Sequence, residues 1–217
     1  MSVVPGFASV VLDVDSTLCG IEGIDWLAER CGAAVGRAVA ALTDQAMRGD
    51  IALDAVYGAR LALVRPSPAD VAALADAYVA SLAPGAGACI AALRGAGRRV
   101  VLVSGGLRDA ILPVARSLGI PDADVHAVGL RRDGAGRFLG YDETSPLAHA
   151  RGKADVVRAR TLPPRVLAVG DGATDVALKG AVDAFAAFTG FVARPAVVAS
   201  ADAVLASFAQ LSELVLA

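Results

Sequence analysis

Three short segments carry the residues able to do chemistry. Asp13-Val14-Asp15-Ser16-Thr17 follows the apolar run Ser9 to Leu12, and Ser104-Gly105-Gly106 follows Arg99 to Val103. The third, Asp171-Gly172-Ala173-Thr174-Asp175, comes shortly after Arg165 to Val169. Carboxylates gathered in one place repel each other unless a cation sits among them, and an all-oxygen donor set suits a hard divalent ion, Mg²⁺. No Walker A pattern is present, so a nucleotide cradle of that type is unsupported. Taken singly, each segment has a plainer reading. Asp-x-Asp after a strand can be a turn or helix cap, Asp175 can complement the N-terminus of the helix it opens, and Ser-Gly-Gly can be a tight βα turn. The plain readings do not explain why every informative strand ends in the same chemistry. Lysine usage adds a fourth candidate. Of 20 cationic side chains, all but Lys153 and Lys179 are arginine. Lys153 opens a helix, where positive charge opposes the macrodipole. Contact with a phosphate as a compact point charge is one reason to keep a lysine there; drift at a solvated position is the other.

The elements that must position these residues are legible in the apolar pattern. Ser9 to Leu12, Arg99 to Val103, Arg165 to Val169 and, more weakly, Ala184 to Phe188 are short apolar runs of the buried-strand kind. Helical patterns follow over Leu107 to Leu118, Lys153 to Thr161 and Thr174 to Val182. Strand, polar turn and helix in repetition predict an α/β fold, a Rossmann-like doubly wound parallel sheet with helices on both faces. In such sheets ligands bind beyond the carboxyl ends of the strands, which makes the three loops neighbours. From about Cys19 to Ala83 the periodicity is helical throughout, with Pro66, Pro68 and Pro84-Gly85 as punctuation. The expected organisation is a core of residues 1–18 and 84–217 with an inserted all-helical cap over 19–83. Between Val125 and Tyr141, the turn sequence Asp133-Gly134-Ala135-Gly136 predicts a small β-hairpin.

Composition narrows the class. The chain has 217 residues, enough for a sizeable core, and is 56% hydrophobic with 19% charged residues, which excludes a disordered chain. A mean hydropathy of +0.59 comes largely from alanine and glycine. No charge-free apolar run approaches the ~18–20 residues of a spanning helix, and Met1 to Leu12 lacks the cationic start of a signal peptide. A net charge of −2 supplies no basic field, so neither nucleic acid nor membrane is expected as a partner. Cys19, Cys31 and Cys89 are odd in number and form no CxxC, as suits a reducing cytoplasm. Cys19 reads as a small filler, Trp26 as packing, Lys179 as a surface residue, and His126 and His149 as solvated. On a helix over about residues 52–64, Leu53, Val56, Tyr57, Leu61 and Val64 form an apolar stripe, and Arg60 lies within it. A guanidinium on a buried face needs a partner anion. The partner is either a ligand or an internal ion pair, unless the side chain reaches the rim.

In their order, Asp-x-Asp-Ser-Thr, Ser-Gly-Gly, a lysine and Gly-Asp-Gly-Ala-Thr-Asp resemble the motifs of the haloacid dehalogenase superfamily. Glu22-Gly23-Ile24-Asp25, Ala46-Met47-Arg48-Gly49, Arg60-Leu61-Ala62-Leu63 and Tyr141-Asp142-Glu143-Thr144, with the helical insert, are similar to its phosphoserine phosphatase family. The resemblance implies a phosphomonoesterase in which Asp13 is the nucleophile and forms an aspartyl-phosphate. Asp15 would be the general acid and base. Ser104, the Gly105 amide and Lys153 would hold the phosphoryl oxygens. Mg²⁺ would be held by Asp13, the Asp15 carbonyl and Asp171, with Asp175 acting at one remove or through water. In the cap, Arg60 would clamp the substrate carboxylate and Glu22 the ammonium, although Glu22 reads equally well as a complement to the helix dipole. Met47, Leu53 and Thr174 would line the substrate site. Leu53 and Leu107 stand where relatives often carry aromatics, and Thr174 where many carry Asn. The pocket is therefore expected to be somewhat looser, which leaves phosphothreonine or another small phosphomonoester as alternatives; separately, nothing in the sequence excludes transfer to a hydroxyl acceptor instead of water. A phospho-aspartate signalling domain is the reading from another class, and Asp15 and the cap argue against it. A monomer or homodimer is expected, and because the chain begins almost at the first strand, the regulatory domain of some relatives is expected to be absent.

Overall fold

The computed structural model describes residues 6–48, 51 and 53–217, leaving aside the side chains of 44, 46–48, 53 and 54. β1 (Ser9–Leu12) lies at the centre of a six-stranded parallel sheet. Its neighbours are β2 (Arg99–Leu107) and β6 (Val166–Gly170). Beyond β2 lies β3 (Val125–Val128), and beyond β6 lie β7 (Ala184–Phe188) and β8 (Ala203–Leu205). Successive strand side chains point to opposite faces. Val10, Leu12, Val100, Leu102, Leu167 and Val169 therefore enter one apolar core, and Val11, Val101, Val103, Val166 and Ala168 the other. Both faces need cover, which is why these strands are continuous apolar runs rather than alternating ones.

α5 (Ala86–Gly95), α6 (Arg108–Ser117) and α10 (Phe208–Leu216) cover the first face through Ile90, Leu93, Ile111, Val114 and Leu211. α7 (Gly152–Arg158) and α9 (Pro195–Ser200) cover the second through Ala154, Val157 and Val197. The short α8 (Ala173–Val176) tightens at once into a 3₁₀ turn, so the helix expected over Thr174 to Val182 is two brief pieces. Ser104-Gly105-Gly106 is not a turn. β2 runs extended through it to Leu107, and a register shift against β3 falls between Val103 and Leu107.

Between β1 and β2 come α1 (Gly23–Arg30), α2 (Ala33–Arg48), α3 (Leu53–Val64) and α4 (Pro68–Ala80), the helical insertion that the periodicity predicts. The chain leaves and returns side by side, with the Gly20 N–H donating to Ser81 O at 2.8 Å and the Ala83 N–H to Leu18 O at 2.9 Å. α4 begins with a reciprocal cap between Ser67 and Asp70, and Pro68 takes the first helical position, where a missing N–H costs nothing.

The expected hairpin is corrected in its first arm. Val125–Val128 joins the large sheet as β3, and only β4 (Leu130–Arg132) pairs with β5 (Phe138–Tyr141). This puts His126 in a strand, half-buried and so only partly solvated, and burial holds its imidazole below the ordinary value. The hairpin reaches the insertion, where Tyr141 packs edge-on against Tyr57 with ring centres 5.1 Å apart. Among the described residues, no helix is long and apolar enough to cross a membrane.

Candidate active site

Because β1 lies between β2 and β6 in register, Asp13, Ser104 and Asp171 leave the same edge of the sheet. The Asp13 N–H continues the ladder, donating to Val169 O at 3.0 Å. Lys153, in the first turn of α7, projects into this edge with its Nζ 2.7 Å from Asp13 Oδ1 and 2.7 Å from Asp175 Oδ1. Only 5% of Lys153 is exposed, so it is not a drifting surface residue. Burial opposes its charge, yet Asp13 and Asp175 overcome that and hold the ammonium above its ordinary range. Asp13 is pushed well above the usual carboxylate range, by burial first and by Asp175 next, against the pull of Lys153.

Asp175 also accepts from the Gly172 N–H at 3.0 Å, so it does serve the start of α8 as the plainer reading supposes. A Cβ on Gly170 would lie 2.2 Å from the Asp175 carboxyl carbon, so the last residue of β6 has to be glycine. Asp171 accepts from Thr17 Oγ1 and from Arg194 Nε, each at 3.0 Å. Its carboxyl is nonetheless raised, chiefly by burial.

Asp13, Asp171 and Asp175 are all buried and offer oxygens within 4.8 Å of one another. With Asp15, and with Glu22 beside Arg194, carboxylates outnumber the two cations, Lys153 and Arg194. An all-oxygen donor set short of positive charge fits a hard divalent ion.

Asp15 stands at the turn beyond Asp13. Its Oδ1 accepts from the Tyr78 hydroxyl at 2.7 Å and the Gly23 N–H at 2.8 Å, while Oδ2 faces Ser104 Oγ at 3.4 Å. Burial and then Glu22's charge push its carboxyl up to about 6, against those two hydrogen bonds. Ser104 is fully buried and accepts the Gly106 N–H at 2.9 Å. Gly105, between them in β2, is half-buried with its amide at the same edge. Ser16 takes φ +50°, an uncommon value for a side-chain-bearing residue, and its hydroxyl donates to Glu22 Oε1 at 2.7 Å. Glu22 precedes α1, remains 45% exposed, and lies 3.7 Å from Arg194 Nη2. Thr174 is half-buried in α8.

Arg60 makes the internal ion pair that the sequence left open, with Nη2 2.7 Å from Asp25 Oδ1. Its Nε, however, is buried without a partner, as is the Tyr57 hydroxyl one turn earlier in α3. Burial, and then the Asp15 charge, raises the Tyr57 phenol, so α3 turns this face toward Asp15. Met47 and Leu53 lie in helical backbone, but their side chains fall outside the described residues. The sequence reading missed Tyr78 and Arg194. Tyr78 passes for one more apolar residue of α4, and Arg194 carries no signal among so many arginines.

The family model described as haloacid dehalogenase-like hydrolase matches residues 10–178. Over 208 residues the chain is 41% identical to "Phosphoserine phosphatase, chloroplastic" of Arabidopsis thaliana, covering 94% of this chain and 70% of that protein. It is 36% identical over 206 residues to the Homo sapiens "Phosphoserine phosphatase", covering 94% and 91%. A phosphoserine phosphohydrolase-like protein from Francisella tularensis superposes with a TM-score of 0.81 at 26% identity, covering 97% of this chain and 99% of that one. The matched segment begins inside β1 and extends past Asp175 to 178, so it takes in every strand-end residue gathered at the sheet edge. The chain therefore belongs to the haloacid dehalogenase-like hydrolase family.

Proposed function

We propose that this protein is a Mg²⁺-dependent phosphomonoesterase that hydrolyses O-phospho-L-serine to L-serine and phosphate. The observation that carries the reading is the pairing of two carboxyls, the buried Asp13 held by Lys153 and the half-buried Asp15 held by Tyr78, at the edge that also presents Ser104. Asp13 attacks phosphorus in line and forms an aspartyl-phosphate while the bond to the seryl oxygen breaks. Asp15 gives its proton to that oxygen, and serine leaves as the neutral alcohol. Asp15, now a carboxylate, takes a proton from water as the water attacks phosphorus, releasing phosphate and restoring Asp13. Lys153, the Ser104 hydroxyl and the Gly105 amide meet charge on the phosphoryl oxygens. Mg²⁺, held by Asp13, the Asp15 main-chain carbonyl and Asp171, would supply charge neutralisation. Asp175 acts one step out, because its two oxygens already accept from Lys153 and Gly172.

Residues 19–83 act as a cap that excludes bulk water. Within it, the unpartnered Arg60 Nε suits the serine carboxylate and the half-exposed Glu22 suits the ammonium. Thr174, half-buried in α8, adds to the lining. Three free thiols accord with a reducing compartment, and we place the enzyme in the cytoplasm. The relatives' names support the same substrate.

The decisive experiment measures phosphate release from phosphoamino acids and sugar phosphates, with Mg²⁺ and with EDTA. Phosphoserine should lead and EDTA should silence it, while faster sugar phosphates would overturn the reading. Asp13→Asn should lower turnover by at least ~10³-fold, given what loss of a covalent nucleophile costs; a fully active variant would exclude the mechanism.

A further inference from the structure

Tyr78 is the largest fully buried side chain among the described residues, yet its hydroxyl is spent on Asp15 rather than on packing. The contact spans 63 positions in sequence and joins α4 of the helical insertion to the loop after β1. It is made on the same oxygen, Oδ1, that the Gly23 N–H reaches at 2.8 Å. An amide N–H can only donate, so Oδ1 must accept there, and it is the poorer place for a proton. The other oxygen, Oδ2, faces Ser104 and approaches the Cβ-less side of Gly106.

We propose that Tyr78 is a positioning residue: with the Gly23 amide it occupies Oδ1 of Asp15 and so leaves Oδ2 to face the leaving oxygen. The proposal rests on the phosphomonoesterase reading above. In the step it serves, the proton on Oδ2 passes to the ester oxygen as that oxygen takes the electron pair of its bond to phosphorus. Oδ2 keeps the electrons of its former O–H bond. Gly23 is part of the same device. A Cβ there would stand 2.1 Å from the Tyr78 hydroxyl and 3.4 Å from Asp15 Oδ1, so glycine is what allows the tyrosine to arrive.

The test compares two leaving groups. The seryl alkoxide needs a proton to depart, whereas acetyl phosphate releases acetate and needs none. With Tyr78→Phe, kcat/KM for phosphoserine should fall by at least tenfold more than kcat/KM for acetyl phosphate. The phosphoserine loss should appear in kcat, with KM within about twofold. Gly23→Ala, which displaces the hydroxyl, should reproduce the selective loss and supplies the test if Tyr78→Phe does not fold. Added to Tyr78→Phe, it should cost little more, because both act on one oxygen. Equal losses on the two substrates, or no loss on either, would overturn the proposal. If the wild-type chain prefers another alkyl phosphate to phosphoserine, the substrate reading fails. The leaving-group comparison then proceeds with that ester and still decides the role of Tyr78.

Discussion

Lys153 is the one cation among the buried described residues, and it lies 2.7 Å from each of two buried carboxylates. Replacing it with methionine keeps most of the stem's volume but leaves those carboxylates without their nearest counter-charge. Removing one partner of a buried pair costs about 3–5 kcal/mol. For a chain of this size that lowers the melting temperature by roughly ten degrees. The pH dependence separates charge from packing. Asp13 and Asp171 are held above their ordinary value by burial, so ionising them works against the folded state. The stability linked to their protonated forms is full below the unfolded carboxylate value and is lost as pH rises through their raised folded values. The gap in melting temperature between Lys153→Met and wild type, measured in EDTA, should therefore narrow from pH 7 to pH 5. An unchanged gap would show that the stem, not the charge, carries the loss. The position of Lys153 against the helix dipole made it noticeable in the sequence. Its two partners were not readable, because Asp175 is brought to it by the packing of α7 beside α8.

Among the elements, the strands were the most legible. Ser9 to Leu12 and Ala184 to Phe188 match the observed strands at both ends, since buried parallel strands are apolar on both faces. Val125–Val128 was harder, because an edge strand next to a hairpin arm has the same local composition as that arm. β8 is three residues long and offers no periodicity to detect. The four helices between β1 and β2 were legible as helical periodicity, and in α4 the sequence Ser67-Pro68-Ala69-Asp70 shows why it starts where it does. Ser67 Oγ accepts the Asp70 N–H at 3.2 Å, and Asp70 Oδ2 accepts the Ser67 N–H at 2.9 Å. Ser67→Ala should cost about 1 kcal/mol by loss of the cap, read as a fall of a few degrees in a thermal melt. Hydrogen bonds from Ser67 hold Asp70 below the usual carboxylate range. That contribution is full above the unfolded carboxylate value and fades as pH falls through the lowered folded value. Since α4 carries Tyr78, hydrogen exchange in strong acid should show α4 amides opening before those of β1 in wild type. Ser67→Ala should move that opening to higher pH; unchanged exchange would exclude the cap as what holds the helix start.

The whole molecule converts dispersed sequence into one charged site. Parallel strands send their carboxyl ends to a single edge, so segments at 13, 104 and 171 meet without being near in the chain. This much follows from topology and was readable from strand order alone. What topology does not dictate is how the insertion and the late loop close on that edge. The Tyr78–Asp15 and Arg194–Asp171 contacts depend on tertiary packing and leave no local pattern. Carboxylates outnumber Lys153 and Arg194 at this edge, a deficit of positive charge that a divalent ion would reduce. A ligand that binds only the folded state stabilises it by about 2.7 kcal/mol at a hundredfold excess over its dissociation constant. Saturating Mg²⁺ should therefore raise the melting temperature by roughly 5–10 °C over EDTA. Asp171→Asn gives this a sign that general salt effects do not share. The amide oxygen can still accept one of the hydrogen bonds from Thr17 and Arg194, while one buried negative charge is removed. The variant in EDTA should match or exceed the wild type in stability, yet its Mg²⁺-induced shift should shrink to a degree or two. A full shift in Asp171→Asn, measured by scanning calorimetry across a Mg²⁺ titration, would place the ion elsewhere than between these carboxylates.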